Sequence, residues 1–168
     1  MKKILCAVVV VLLIFTGCSM KGKQIEPLSQ ELSSQVEIRH KSIDYEAQLV
    51  HDESQTKIIY SLPKSHGGLT LIKNKESCSA ELFGLKVTPK NEIFTENSAI
   101  VLIDSVLNTL LSGSDECEQK IQDNTVILSG KIGDDSFEAV RYKNKPKLIS
   151  ISVPTQELTV TFEEKIIK

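Results

Sequence analysis

The sequence has no tryptophan, and aromatic residues make up only 5% of the chain. A buried core must therefore be built mainly from isoleucine, leucine and valine. Histidine is scarce too, with three residues, His40, His51 and His66. None of them stands in an HExxH motif, and no serine stands in a nucleophile elbow or an SxxK motif. We expect a protein that is not an enzyme and that binds no cofactor or metal.

Cysteine is limited to four residues, without the paired spacing of a zinc site. Cys6 and Cys18 lie near the start of the chain, which leaves Cys78 and Cys117 for its body. In an exported protein these two can form a disulfide, and two free, partly buried thiols are the alternative.

No apolar run has the length of about 20 residues that a membrane-spanning helix needs. The run Ile4 to Phe15 follows two lysines and precedes Thr16-Gly17-Cys18. Basic, apolar and small-residue parts in this order are typical of a secretory signal, so we expect a signal peptide over residues 1–17. A plain signal peptide that contains a cysteine, or an uncleaved anchor, are the alternatives.

The segment from Phe15 to Cys18 resembles the bacterial lipobox, in which the cysteine becomes the first residue and carries acyl chains. The resemblance implies a lipoprotein held on the extracytoplasmic face of the cell membrane through lipid on Cys18. The stretch after Cys18 is polar and without periodicity, so we expect a lipidated cysteine and polar tether over 18–42 and one folded domain over 43–168.

Acidic residues outnumber basic ones by 22 to 20, which gives a formal net charge of −2. A nucleic-acid-binding protein needs a basic face, so this charge argues against nucleic acid as a partner. We expect a monomer whose contact with the membrane goes through the lipid.

Apolar and polar residues alternate in short segments bounded by turn residues, which predicts antiparallel strands. Between two groups of strands, residues 98–112 are apolar over more than half of a helical circumference and predict one helix of about four turns. A helix that is apolar so widely should be covered on several sides, as in the hollow of a curved sheet. The segments predicted as strands are 43–49, 57–62, 69–73, 78–82, 83–87, 125–129, 136–142, 147–153 and 157–163.

This layout resembles the LolA/LolB/RseB superfamily, and within it the small clostridial-type lipoproteins. The resemblance lies in Tyr45-Glu46-Ala47, in Leu62-Pro63 followed by Gly68-Leu69, in Phe83-Gly84-Leu85, and in Pro154 before Leu158-Thr159-Val160-Thr161-Phe162. It implies a mostly β, α+β fold. The fold is an unclosed antiparallel β-barrel, a curved sheet of about 8–9 strands, that wraps one long apolar helix and leaves an apolar cavity between them.

The implied function is binding of lipid, or of a lipoprotein's acyl chain, in that cavity. The alternative is an envelope protein-interaction or stress-sensing module with a filled core, because apolar stripes at such spacings also build cores. The candidate cavity residues are Tyr60, Leu62, Leu71, Leu82, Ile100, Ile103, Leu107, Leu110, Val160 and Phe162.

Overall fold

A computed structural model of the chain describes residues 28–88, 94–112 and 117–163. Their main elements are eleven strands and one α-helix, and the mostly β fold is as predicted. The strands are β1 (Leu32–His40), β2 (Ile43–His51), β3 (Gln55–Leu62), β4 (Thr70–Asn74), β5 (Cys78–Leu82), β6 (Leu85–Val87), β7 (Glu118–Gln122), β8 (Thr125–Ile132), β9 (Asp135–Tyr142), β10 (Leu148–Val153) and β11 (Leu158–Phe162), and the helix is α1 (Ala99–Leu111).

All eleven strands form one antiparallel, unclosed sheet in the order β6-β5-β4-β3-β2-β1-β11-β10-β9-β8-β7. Each half of this order is a meander of strands that follow one another along the chain. The halves meet where β1 pairs with β11, and there Val36 lies opposite Phe162 and Ile38 opposite Val160. All four side chains are buried, so cross-strand apolar packing joins the two meanders.

The sequence analysis missed β1, because it assigned residues 18–42 to a tether and began the domain at residue 43. In the structure, residues 32–40 form a strand at the centre of the sheet, paired on one side with β2 and on the other with β11. The inward face of this strand carries Ser34 beside Val36 and Ile38, so its apolar alternation is short. The tether predicted for 18–42 is therefore too long, and the folded part begins before residue 32.

The second missed strand is β7, which lies outside all of the predicted strand segments. Every residue of β7 is exposed, so burial imposes no apolar alternation on its sequence. With β1 and β7 the sheet has more strands than the expected 8–9.

The helix α1 matches the predicted segment to within one residue at each end. Its main sheet contacts are with β3 and β4 in one meander and with β8 and β10 in the other. Its buried residues are Ile100, Leu102, Ile103, Val106 and Leu107, and they belong to one core cluster with inward residues of both meanders. The described core thus lies between α1 and one face of the sheet.

Removal of β1 should prevent folding. A variant that begins at Leu28 should unfold cooperatively on heating, because β1 and the partly buried Leu28 remain in place. A variant that begins at Ile43 loses the buried Val36 and Ile38, each worth about 1.5–3 kcal/mol, together with the ladder that joins the two meanders. Circular dichroism during heating distinguishes the two, and a cooperative transition in the shorter variant would contradict a central role of β1.

Candidate functional site

The ten candidate cavity residues separate into three groups by burial. Leu71 and Leu110 are partly buried and pack against the core. Leu62 and Leu82 are 38% and 40% exposed, at the ends of β3 and β5. The remaining six are buried members of the core: Tyr60, Ile100, Ile103, Leu107, Val160 and Phe162. Most of the predicted cavity lining therefore packs against other side chains of the chain itself.

The exposed apolar residues concentrate on the hairpin formed by β5 and β6. We call Leu82, Phe83, Leu85 and Val87 the apolar hairpin residues; they are 40%, 86%, 75% and 56% exposed. Clustered large apolar side chains in water are uncommon on a soluble monomer and mark interaction sites. Sequence analysis identified Leu82 but not the other three, because alternation alone does not separate an exposed edge strand from a covered one.

Strand register places three of these residues on the same face of the sheet as the core. Ile58 pairs with Leu71, Leu71 with Ala80, and Ala80 with Val87. Directly paired residues share a face, so Val87 lies on the face that carries the buried Ile58. Leu85 and Leu82 have the same parity and lie there too. The apolar face that α1 covers over β3 and β4 thus continues, exposed, onto β5 and β6.

The turn of this hairpin consists of Phe83 and Gly84, with φ angles of 50° and 79°. A two-residue turn with positive φ at both positions joins strands with the correct twist, and asparagine, aspartate or glycine normally occupies it. A bulky residue such as phenylalanine adopts positive φ only with strain. The most exposed apolar side chain of the hairpin therefore also has an unfavourable backbone conformation.

A buried polar network connects α1 to the opposite end of β2 and β3. The Thr56 hydroxyl donates to Oδ1 of Asp104 at 2.5 Å, so its oxygen accepts a hydrogen bond from Nδ1 of His51 at 2.7 Å. This pairing assigns the Nδ1–H tautomer to His51. Burial lowers the pKa of His51, against the opposing effects of the Asp104 and Asp52 carboxylates.

This network contains the residue types of a catalytic triad but in an unsuitable arrangement. The hydroxyl lies between the imidazole and the carboxylate, whereas a triad needs the imidazole in the middle. Thr56 is fully buried and His51 is 3% exposed, so a substrate could not reach the hydroxyl. The network is a polar link between the helix and the sheet.

The three histidines lie in different surroundings. His51 ends β2 and is buried. His40 was assigned to the tether and ends β1, where burial and the nearby Lys41 lower its pKa. His66 lies in a single turn of 3₁₀ helix, with its ring 5.6 Å from that of Tyr45.

A cavity of about 240 Å³ lies between β4, β5 and α1. Lys73, Glu76, Cys78, Phe94 and Val101 are among the residues that line it. Burial raises the pKa of the Cys78 thiol, and the nearby Lys73 opposes this effect. A raised pKa keeps the sulfur in its weakly nucleophilic thiol form.

Cys78 is a free thiol, so the disulfide with Cys117 that was one of the two alternatives is not formed. Cys117 lies near β8, where its sulfur is 3.2 Å from the position that a Cβ on Gly130 would occupy. Cys18, residues 1–17 and the first part of the tether lie outside the described residues.

Among the described residues, no three His, Cys, Asp or Glu side chains come together in a way that could hold a metal ion. In the same part of the chain, no helix combines the length and the apolar character needed to cross a bilayer. Comparison with protein-family models and with curated proteins gave no match to this chain.

Replacement of Thr56 by valine should destabilise the protein. Valine has nearly the shape of threonine but leaves the carboxylate of Asp104 and the Nδ1–H of His51 without their shared partner, which costs about 1–3 kcal/mol. Thr56→Ser keeps the hydroxyl and should lose less, about 0.8 kcal/mol for the missing methyl group. Urea unfolding measures both free energies, and a valine variant as stable as the serine variant would contradict the importance of the network.

Proposed function

We propose that this chain is a lipid-anchored, extracytoplasmic lipoprotein of the LolA/LolB/RseB-like half-barrel type that acts as a non-catalytic interaction module. Its core is filled, and its contact surface is the β5–β6 hairpin. The observation that carries this proposal is the cluster of exposed apolar hairpin residues beside a core in which most of the expected cavity lining is already buried.

The reach of α1 supports a half-barrel. Seven strand-to-strand steps separate β4 from β8 in the sheet, which is about 34 Å along a flat sheet. The helix has 13 residues and is therefore about 20 Å long. It nevertheless contacts both β4 and β8. A sheet bent around the helix brings both strands within its reach.

The filled core is the reason to prefer an interaction module over a carrier with an internal ligand site. A pocket for a drug-sized ligand or an acyl chain needs several hundred Å³ of space. In the described part of the chain, inward residues of α1 such as Ile103 and Leu107 are at most 1% exposed and pack within the core cluster. An internal ligand would have to displace these contacts.

Binding of an acyl chain is the second candidate function, and one observation favours it. The apolar hairpin residues continue the face of the sheet that α1 contacts at β3 and β4, so an acyl chain laid along β5 and β6 would contact Leu82, Leu85 and Val87. Such a ligand would lie at the open end of the half-barrel and not inside it.

Membrane attachment should depend on Cys18. Cys18→Ser removes the sulfur that would carry the acyl chains, and the protein should move from the membrane fraction to the soluble extracytoplasmic fraction. Incorporation of labelled palmitate should be lost in the same variant and retained in Cys78→Ser, which serves as the matched control. Membrane retention of the Cys18→Ser protein would contradict lipid anchoring.

The protein extracted from its membrane should carry no lipid other than its anchor. Native mass spectrometry in a mild detergent should give the mass of the acylated chain alone, since the core is filled. A bound lipid that is lost in a Leu82→Ser, Leu85→Ser double variant, and retained in an Ile121→Ser control, would favour acyl-chain binding at the hairpin and contradict the interaction module.

A further inference from the structure

We infer that His51 makes the packing of α1 on the sheet sensitive to pH: uptake of a proton by its imidazole weakens the attachment of the helix to β2 and β3. The inference goes beyond the proposed function and does not depend on it, because the groups involved lie within the described part of the chain.

His51 belongs to a chain of hydrogen bonds that runs from β2 through β3 to α1. Its Nδ1 lies 2.7 Å from Oγ1 of Thr56, and this hydroxyl lies 2.5 Å from Oδ1 of Asp104. An ionised carboxylate only accepts hydrogen bonds, so Thr56 donates its proton to Asp104 and its oxygen accepts Nδ1–H of His51. The chain is therefore complete while the imidazole is neutral.

Strand register places this imidazole under the helix. His51 pairs with Leu32 on β1 and with Thr56 on β3, and Thr56 pairs with Lys73 on β4. Directly paired residues share a face of a sheet, so all four lie on the face that α1 contacts. His51 is 3% exposed and Thr56 is fully buried. A second proton on the ring would place a positive charge where water is largely excluded, which is unfavourable.

The two carboxylates that attract a protonated His51 are already engaged in hydrogen bonds. Asp104 accepts the threonine hydroxyl that lies between it and the ring. Oδ1 of Asp52 accepts hydrogen bonds from Ser54 and Gln55, which hold the turn between β2 and β3. Burial of the ring outweighs the attraction of both carboxylates, so the pKa of His51 lies below its ordinary value of 6.5.

The other charged groups that face His51 add no net attraction for a proton. Glu53 and Lys75, which have opposite charges, line with His51 a groove of about 330 Å³. Lys73, beside Thr56 in the register, is a cation and has no acceptor for a second imidazole N–H. The remaining residues that line the groove are uncharged: Gln30, Asn108, Leu111 and Ser112.

The direction of the pH effect follows from the lowered pKa of His51. As the pH falls, the unfolded chain takes up a proton on this ring near 6.5, whereas the folded protein takes it up only at lower pH. The stability that depends on neutral His51 is therefore complete above 6.5 and is lost as the pH falls from 6.5 towards the folded pKa. Aspartate and glutamate, with ordinary pKa values near about 4, stay ionised above about pH 5.5.

The test compares urea unfolding of the full chain at about pH 7.5 and at about pH 5.5. The equilibrium constant of unfolding should rise as the pH falls, and His51 should contribute a factor of several-fold, at most about tenfold, to this rise. In His51→Gln the rise should be smaller by that factor, because the glutamine amide can donate to Thr56 but does not titrate.

Thr56→Ser is the matched control, since it changes the same network but keeps the hydroxyl and the titrating ring. It should show the rise of the wild type. Burial also lowers the pKa of His40. Its contribution is present in the wild type and in both variants, so the comparison isolates His51.

A second measurement observes His51 in the wild-type protein and holds even if His51→Gln does not fold. Nitrogen–proton correlation spectra of the imidazole rings distinguish the two tautomers of a neutral histidine. We expect Nδ1–H on His51 at neutral pH, and a titration midpoint that is lower in the folded chain than in the same chain unfolded in urea.

An equal rise in the wild type and in His51→Gln would overturn the inference. So would an Nε2–H tautomer, or a folded-state midpoint at or above that of the unfolded chain. The proposed function fails on different readouts, namely membrane retention without Cys18 or a lipid bound to the purified chain.

Discussion

Packing of α1 against strands of both meanders is the constraint on which the rest of the structure depends. The two meanders pair with each other only through β1 and β11 in the described chain, and α1 contacts strands on both sides of that junction. Five buried apolar residues of the helix contribute to this packing, each worth about 1.5–3 kcal/mol. Because these side chains are buried in the core cluster, an internal ligand would have to displace them, and we therefore propose binding at the part of the apolar face that lies beyond β3 and β4.

The polar network gives this packing a defined orientation. Asp104 lies in the middle of a helix whose neighbouring residues Ile103 and Val106 are fully buried, and its carboxylate has a hydrogen-bonding partner in Thr56 on β3. An apolar helix can slide or rotate on an apolar sheet with little change in free energy. A partly buried carboxylate that loses its hydroxyl partner, in contrast, destabilises the folded state. The network therefore favours one position of α1, in which its main contacts in this meander are with β3 and β4.

Sequence reasoning predicted those elements in which burial imposes a pattern. The helix and most strands were found because their apolar residues recur at the period of a helix or a strand. The turn between β4 and β5 is held by the side-chain oxygen of Asn74, which accepts backbone N–H groups of Glu76 and Ser77. The two missed strands lack such a pattern: β1 has a polar first half, and β7 is exposed throughout. Exposure of the apolar hairpin and burial of His51 depend on which strands α1 contacts. These contacts join residues that are far apart in the sequence, so no local sequence pattern predicts them.

The most direct test of the central packing is the set of methyl–methyl NOEs between α1 and the sheet in protein labelled at isoleucine, leucine and valine. The account predicts NOEs from methyl groups of Ile103 and Leu107 to β3 on one side and to β8 or β10 on the other, within one sample and one conformation. NOEs to a single meander, or none from the helix to the sheet, would contradict it, because the core would then not be filled by α1 and the hairpin would not be the uncovered remainder of the same face.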